Sequence, residues 1–209
     1  MATRAPERRD LAKWLFFGVV AAAVLLVLYV DERFLIEPAD PEWKHIAPFA
    51  FPLFFHGVAG ATALAIGPWQ FSDRIRRTNA KLHRWMGRTY VGAVAIAAPL
   101  GGMIGFLYEG PITRWEQIAQ SGGWFLTTAM GLWCARSRNF SAHKLWMMRS
   151  YGFALVFISS RVPDAFPGFH WTDALLANSL WWLVVAALIV PDLILAVRGA
   201  SRRSTSAAG

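Results

Sequence analysis

Long apolar runs alternate with short polar segments along most of this chain. Six of these runs come close to the length of about 20 residues that an α-helix needs to cross a hydrocarbon layer. Their approximate bounds are 12–30, 50–71, 88–107, 118–135, 145–163 and 175–197. The fifth run is the weakest of the six because it contains Ser159 and Ser160. The pattern predicts an all-α, polytopic membrane protein with six transmembrane helices.

Two pairs of predicted helices repeat one sequence pattern. Gly67-Pro68-Trp69 closes the second span, and Gly131-Leu132-Trp133 closes the fourth. The basic segment after the first ends with His83-Arg84-Trp85-Met86-Gly87-Arg88-Thr89-Tyr90, and its counterpart ends with His143-Lys144-Leu145-Trp146-Met147-Met148-Arg149-Ser150-Tyr151. Both pairs run out–in–out, so the repeat is parallel about an axis along the membrane normal. We expect residues 50–165 to hold a central four-helix bundle of spans two to five, flanked by spans one and six.

Glycine spacing is typical of closely packed membrane helices. Gly101 and Gly105 form a GxxxG pair on the third span. Gly57, Gly60 and Gly67 leave one side of the second span without bulky side chains. Because small residues let helix backbones approach each other, we expect these positions to face neighbouring helices.

Positive charge is distributed unevenly between the two sides of the predicted membrane. With the N-terminus in the cytoplasm, 17 of the 21 Lys and Arg residues fall on inner segments and 4 on outer ones. Asp and Glu show the opposite distribution, with 3 on inner segments, 9 on outer segments and Asp192 within the sixth span. Because Lys and Arg resist translocation, we predict an N-in and C-in topology. Residues 1–209 then form one membrane domain, with a cytoplasmic tail at 1–11 and a flexible cytoplasmic tail at 198–209.

The composition supports the membrane interpretation. Hydrophobic residues make up 56% of the 209 residues and charged residues 16%, whereas a soluble domain has about 25% charged residues. A soluble core of this length cannot hide so much apolar surface, and the same balance excludes disorder. The formal charge of +8 follows from the topology, so nucleic-acid binding is not needed to explain it. The one cysteine, Cys134, excludes an intrachain disulfide, a Cys-rich zinc site and an iron–sulfur cluster.

Two of the five histidines occupy equivalent positions in the repeat. His83 and His143 open the third and fifth spans at the inner face. Two imidazoles that face each other at one depth of a bundle can be the axial ligands of a b-type haem, with Arg88 and Arg149 beside its propionates. In the alternative interpretation, these basic groups contact lipid phosphates at the membrane surface. The sequence favours the interfacial interpretation and keeps haem as the alternative.

Polar groups inside the spans need partners. We expect His56, in the outer third of span two, either to form a hydrogen bond with Gln120 across the bundle or to serve as a ligand. Asp192 is expected to pair with a basic residue near the inner interface or to cap a kinked turn, with a proton-relay role as the alternative. For Arg161, at the outer end of span five, we expect a local salt bridge with Asp164.

The motifs of the repeat resemble those of the bacterial membrane proteins defined by "domain of unknown function 2306". The resemblance covers roughly residues 50–165 and rests on His56-Gly57, Gly67-Pro68-Trp69-Gln70-Phe71, Arg74, His83-Arg84, Gly87-Arg88, Tyr90, His143, Trp146-Met147, Arg149-Ser150-Tyr151 and Arg161. It implies a multi-pass protein of the bacterial inner membrane, and it implies no reaction. A weaker, architectural similarity is to six-span di-haem cytochromes of the b561 type, which carry histidines on spans two to five. Here His56, His83 and His143 fit that pattern, whereas span four offers Gln120, which leaves at most one haem.

No nucleotide-binding loop, zinc-protease motif or serine-hydrolase elbow occurs in the sequence. We therefore expect a non-enzymatic role, as an accessory, small-molecule-binding or partner-binding subunit. Its expected partners are anionic lipid headgroups, a quinone or other membrane subunits. The alternative is a b-type haem electron carrier with His83 and His143 as axial ligands and His56 as a further cofactor contact.

Overall fold

A computed structural model describes residues 8–30, 43–108, 110–166 and 168–207 of the chain. These residues form helices and short turns, with no strand among them. The helices are α1 (Arg8–Val30), α2 (Trp43–Ile46), α3 (Ala50–Gln70), α4 (Asp73–Thr78), α5 (Ala80–Tyr108), α6 (Arg114–Arg136), α7 (Phe140–Arg161) and α8 (Asp173–Ala207), with 3-10 turns at Ala47–Phe49 and Val162–Ala165. Helix α1 begins within the predicted N-terminal tail, and α8 continues through most of the predicted C-terminal tail.

Four of the long helices form a closed ring. Helix α3 packs against α5, α5 against α6 and α6 against α7, and α7 in turn contacts α3. Helix α8 packs outside the ring against α7 and α6, and α1 packs against α7. This arrangement is the expected four-helix bundle with two flanking helices. Its centre is filled by fully buried residues such as Ala63, Val94, Ala97 and Phe153.

Hydropathy and length single out three helical segments that can cross a membrane. They are Ala47–Gln70, Ala80–Tyr108 and Asp173–Val197, and the apolar stretch of α1, Trp14–Val27, is shorter. Helices α6 and α7 have the length but not the hydropathy, because they carry more polar side chains, of which some, such as Thr128 and Ser150, are buried in the bundle. The described residues therefore support a helical membrane protein, while the six-span topology and its orientation stay predictions.

Each hairpin of the repeat places an asparagine at the start of its second helix. The side-chain oxygen of Asn79 accepts the backbone N–H three residues ahead at 2.9 Å, and Asn139 does the same at 3.2 Å. Such a cap satisfies a backbone donor that the first helical turn leaves unpaired. His83 and His143 each follow their asparagine by four residues, so the repeat is in register from cap to imidazole. The one-residue slip between the two copies falls after the histidine.

The GxxxG pair of α5 packs against two neighbouring helices. A Cβ atom on Gly101 would lie 2.7 Å from Cε1 of His56 on α3, and one on Gly105 would lie 2.6 Å from Cβ of Gln117 on α6. Both distances are shorter than real carbon contacts, so a side chain at either position would force its neighbour to move. The expected close packing at this pair is confirmed.

The glycines of α3 differ in their surroundings. A Cβ atom on Gly67 would overlap the ring of Tyr151 on α7. At Gly57 and Gly60, by contrast, no atom of the described residues lies within 4 Å of the position that a Cβ atom would take. The expectation that all three glycines face a neighbouring helix therefore holds for Gly67 and is wrong for the other two, since they do not lie on the packed face of α3.

Candidate functional site at the basic end of the bundle

Positively charged side chains gather at the end of the bundle where α3 leads into α5 and α6 leads into α7, which we call the basic end. Its cations are Arg74, Arg76, Arg77, Lys81, Arg84, Arg88, Arg136, Arg138, Lys144 and Arg149. Helices α3 to α8 place two acids there, Asp73 and Asp192. Each is already paired, with Arg76 at 2.7 Å and with Arg149 at 2.8 Å. The basic end therefore keeps a large excess of positive charge.

The two histidines of the repeat lie at this end but have different partners. Nδ1 of His143 donates to the carbonyl oxygen of Gly131 at 2.8 Å, which ties α7 to α6. Nδ1 of His83 is buried and has no hydrogen-bond partner among the described residues. Partial burial lowers the pKa of His83, and the neighbouring His143, Arg76 and Arg84 lower it further. The structure thus brings the predicted pair to one end of the bundle, with one imidazole anchored and the other unsatisfied.

Gln70, the last residue of α3, faces α5 one helical turn from His83. Its Oε1 lies 3.4 Å from the position that a Cβ atom on Gly87 would take, so the missing side chain of Gly87 gives the amide room. Its Nε2 is buried and, within the described part of the chain, has no hydrogen-bond partner. A cavity of about 10 Å³, room for about one water molecule, adjoins it and is lined by Gly67, Gln70, Phe71, Tyr90, Met147 and Tyr151.

Deeper in the bundle, four buried residues from three helices are joined by hydrogen bonds. Oη of Tyr90 lies 2.9 Å from Oγ of Ser150, which lies 2.7 Å from Oγ1 of Thr128. Thr128 Oγ1 in turn lies 2.7 Å from the carbonyl oxygen of Trp124, whose Nε1 lies 3.5 Å from Tyr90 Oη. These contacts close a ring, which we call the hydroxyl ring. It links α5, α6 and α7 at the centre of the bundle.

One placement of the hydrogens makes all four bonds of the hydroxyl ring. Thr128 donates its single hydroxyl hydrogen to the Trp124 carbonyl, because a carbonyl oxygen can only accept. Ser150 must then donate to Thr128, and Tyr90 must donate to Ser150. The indole N–H of Trp124 donates to Tyr90 and closes the ring. Every hydroxyl gives one hydrogen bond and receives one, so the buried polar groups satisfy each other.

Asp192 has the basic partner that the sequence predicts. Nη2 of Arg149 donates to Oδ2 of Asp192 at 2.8 Å, and its Nε donates to the carbonyl oxygen of Leu188 at 3.2 Å. The guanidinium also lies over the ring of Trp146, 4.6 Å from the centroid. The expected ion pair is confirmed, and it engages Arg149 with α8, whereas Arg88 is exposed on α5.

His56 has a partner other than the expected one. Its Nδ1 donates to the carbonyl oxygen of Ala97 at 2.8 Å. The predicted hydrogen bond with Gln120 is wrong, because the imidazole turns toward α5 rather than α6. The predicted salt bridge between Arg161 and Asp164 is also wrong: among the described residues no such ion pair forms, and the guanidinium lies over an aromatic ring of its own helix.

Haem binding requires a slot between helices that a porphyrin can enter. The small-residue positions near the two histidines are filled, because the Tyr151 ring covers Gly67 and the sulfur of Met147 would lie 2.6 Å from a Cβ atom on Gly131. The adjoining cavity has room for about one water molecule. In the described part of the chain, no group of three or more His, Cys, Asp or Glu side chains is placed to hold a metal ion. The packing does not fit haem, and its binding by the two histidines stays a prediction without structural support.

Sequence reasoning missed two features of this site, the hydroxyl ring and Gln70. A polar side chain within an apolar span was the available signal, and it applied to Thr128 and Ser150 as much as to His56. Gln70 lies in a motif of the repeat, but an uncharged side chain at the end of a span gives no sign of its burial. Its role depends on Gly87, which only the fold brings beside it.

Comparison with known proteins gives one match. A family model described as a predicted membrane protein (DUF2306) matches residues 53–197. The matched region runs from α3 into α8 and contains both hairpins of the repeat, the hydroxyl ring and the ion pair of Asp192. No curated protein and no solved structure matches the chain, so the architectural similarity to b561-type cytochromes is not shown.

Proposed function

The chain belongs to the DUF2306 family of predicted membrane proteins, and from this premise we propose that it spans the bacterial inner membrane six times with both termini in the cytoplasm. Its role in this proposal is binding rather than catalysis. It acts as an accessory subunit whose basic end contacts anionic lipid headgroups or an anionic partner. The observation that carries the proposal is the excess of positive charge at one end of the bundle.

Helix length supports six spans. Helices α6 and α7 have 23 and 22 residues. At a rise of 1.5 Å per residue they are about 33–35 Å long, which is enough for a hydrocarbon layer of about 30 Å. Both pack beside helices that are apolar enough to span. The outer face of α6 exposes Phe125, Leu126 and Trp133, which lipid would cover.

The cations of the basic end support a binding role. Arg74, Arg77, Arg84 and Arg88 are exposed, and none forms an ion pair with a described residue. Each Arg or Lys near an anionic membrane surface gains about 1 kcal/mol from the surface potential. Trp85 is exposed at the same end, and tryptophan favours the membrane interface. These side chains suit contact with a negatively charged surface.

Side-specific labelling of single cysteines tests the topology. Cys134 is buried and is the one cysteine of the chain, so Cys134→Ala provides a background without native thiols. Arg77 at the basic end and His170 in the α7–α8 connection are both exposed. In intact bacterial cells we expect a membrane-impermeant maleimide to label His170→Cys and not Arg77→Cys. After permeabilisation, both variants should be labelled.

The control for the labelling experiment is the Cys134→Ala chain alone, which should remain unlabelled throughout. Labelling of Arg77→Cys in intact cells would contradict the proposed orientation. Recovery of the chain from the cytosol without detergent would contradict membrane insertion itself.

Absorption spectroscopy separates the binding role from the haem alternative. Because side chains fill the positions beside His83 and His143 that a porphyrin needs, we expect no Soret band from protein purified in detergent after expression with ample haem. The opposite result would be a Soret band that disappears in His143→Ala and persists in His170→Ala. That result would favour the electron-carrier hypothesis.

A further inference from the structure

Two buried side-chain nitrogen atoms at the basic end are unusual for a folded protein. They are Nε2 of Gln70 and Nδ1 of His83, and neither has a hydrogen-bond partner among the residues that the structure describes. A buried polar atom left unpaired costs free energy comparable to a lost hydrogen bond, so native proteins contain few of them. Two such atoms at one end of the bundle point to a group that the chain itself does not supply.

Gln70 and His83 lie about one helical turn apart along α5, and we call the stretch between them the track. His83 and Gly87 are four residues apart on α5, so they share a face of the helix and lie about 6 Å apart along its axis. The amide of Gln70 lies against Gly87. It is therefore about one helical turn deeper than the imidazole.

The surroundings of the track are positively charged and rich in donors. Burial lowers the pKa of the His83 imidazole, and Arg76 and Arg84 lie close enough to lower it further. The acid of α4, Asp73, is already bound by Arg76 at 2.7 Å. An amide nitrogen, an imidazole N–H and a guanidinium all donate hydrogen bonds. A ligand for this track must therefore bring negative charge and several acceptor oxygens.

We propose that Gln70, His83 and Arg84 bind a phosphate group at the junction of α3, α4 and α5. A phosphate presents its oxygens in several directions, so it can accept from an inner amide, an imidazole and an outer guanidinium, whereas a carboxylate presents two oxygens in one plane. The site names a ligand for the proposed binding role. It rests on that role only because the basic end must lie on the side of the membrane where the phosphate is. The same chemistry is offered by a lipid headgroup and by a soluble phosphate.

Two variants with equal charge change test the site in the full-length chain, purified and delipidated in neutral detergent. Gln70→Glu keeps the shape of the side chain but replaces the amide donors with a carboxylate. Arg77→Gln lowers the net charge by the same unit at an exposed position outside the track. Native mass spectrometry measures retained phosphatidylglycerol, with phosphatidylcholine as the reference. The shift in unfolding temperature on adding inorganic phosphate, against chloride at equal ionic strength, measures binding of the free anion.

We expect Gln70→Glu to weaken binding of the phosphate-bearing probe by about 100-fold, because a charge-assisted hydrogen bond is lost and a repulsion is added. Arg77→Gln should weaken it by about fivefold or less, because it removes only surface charge. His83→Ala should weaken binding of the probe about tenfold. His83→Asn, whose amide nitrogen can take the place of Nδ1, should stay within about threefold of the unmodified chain.

Each outcome decides the proposal. Loss of phosphatidylglycerol retention in Gln70→Glu, without a phosphate-dependent shift in any variant, assigns a lipid headgroup to the site. A phosphate-dependent shift that is lost in Gln70→Glu assigns a soluble phosphate. Equal losses in Gln70→Glu and Arg77→Gln overturn the site and leave the basic end as a diffuse electrostatic surface. If His83→Ala does not fold, Gln70→Glu and His83→Asn decide between these results.

The site and the proposed function can fail separately. An outward-facing basic end in the labelling experiment, together with a selective loss in Gln70→Glu, would support the phosphate site and refute the proposed orientation.

Discussion

Alanine at Gly67 should lower the free energy of unfolding by about 1–3 kcal/mol, as overpacking of a filled core does. The added methyl group would overlap the ring of Tyr151. That ring is held in place, because its hydroxyl donates to the carbonyl of Leu64 at 3.3 Å and its faces and edges meet Phe17 and Phe71. The contact between α3 and α7 must therefore open to accept the methyl group.

The matched control is Gly60→Ala on the same helix, where a Cβ atom would meet no described residue within 4 Å. There, alanine should raise the free energy of unfolding by about 0.5–1 kcal/mol, because glycine in a helix interior is less favourable than alanine. Unfolding in mixed micelles with increasing dodecyl sulfate, followed by circular dichroism, measures both. The two substitutions should have opposite signs. A stabilising Gly67→Ala would mean that Tyr151 moves aside freely.

Removing the Ser150 hydroxyl should be as costly as filling Gly67. Ser150→Ala leaves the Tyr90 hydroxyl without its acceptor and Thr128 without its donor, both inside the core. A buried polar group left unsatisfied costs about 1–3 kcal/mol, so the expected loss is about 2–3 kcal/mol. The same mixed-micelle unfolding measures it. This loss should come from weaker packing among α5, α6 and α7.

The control for the hydroxyl ring is Ser159→Ala, an exposed serine on the same helix, where a change within about 0.5 kcal/mol is expected. A double variant adds a sharper test. Because Tyr90 and Ser150 belong to one closed network, Tyr90→Phe combined with Ser150→Ala should cost less than the sum of the single changes. Additive losses would contradict a cooperative ring.

Helix positions could be predicted where the signals are local. The predicted span 118–135 lies within Arg114–Arg136, because an apolar run depends on neighbouring residues alone. The hydropathy pattern predicts that the third span begins at residue 88, whereas α5 begins at Ala80. Its first turns are too polar to count as membrane-spanning, and the Asn79 cap starts the helix there.

Depth along a helix could be predicted from the sequence, whereas rotation about its axis could not. The sequence predicts that His56 faces α6. Because successive residues are rotated by about 100° around a helix, a local pattern does not determine which neighbour a side chain contacts, and the imidazole contacts the carbonyl of Ala97 on α5. The cost of a charged group within a predicted span predicts that Asp192 has a basic partner. It does not select Arg149, which is 43 positions away.

The candidate site could be predicted in part. The equivalence of His83 and His143 follows from the repeat, and both lie at the basic end. Their unequal hydrogen bonds do not follow, because the connection after α3 contains an extra helix, α4, that the connection after α6 lacks. Gln70 and the hydroxyl ring depend on contacts among three helices, which no local pattern encodes.

The hydroxyl ring cannot transfer protons from one side of the membrane to the other. A proton wire takes a hydrogen in at one side and releases one at the other, and every hydroxyl then reverses its donor direction. Here the order of donors begins at the indole N–H of Trp124 and finishes at the carbonyl of Trp124, so both ends belong to one residue. Proton conduction by this bundle would have to use a different route.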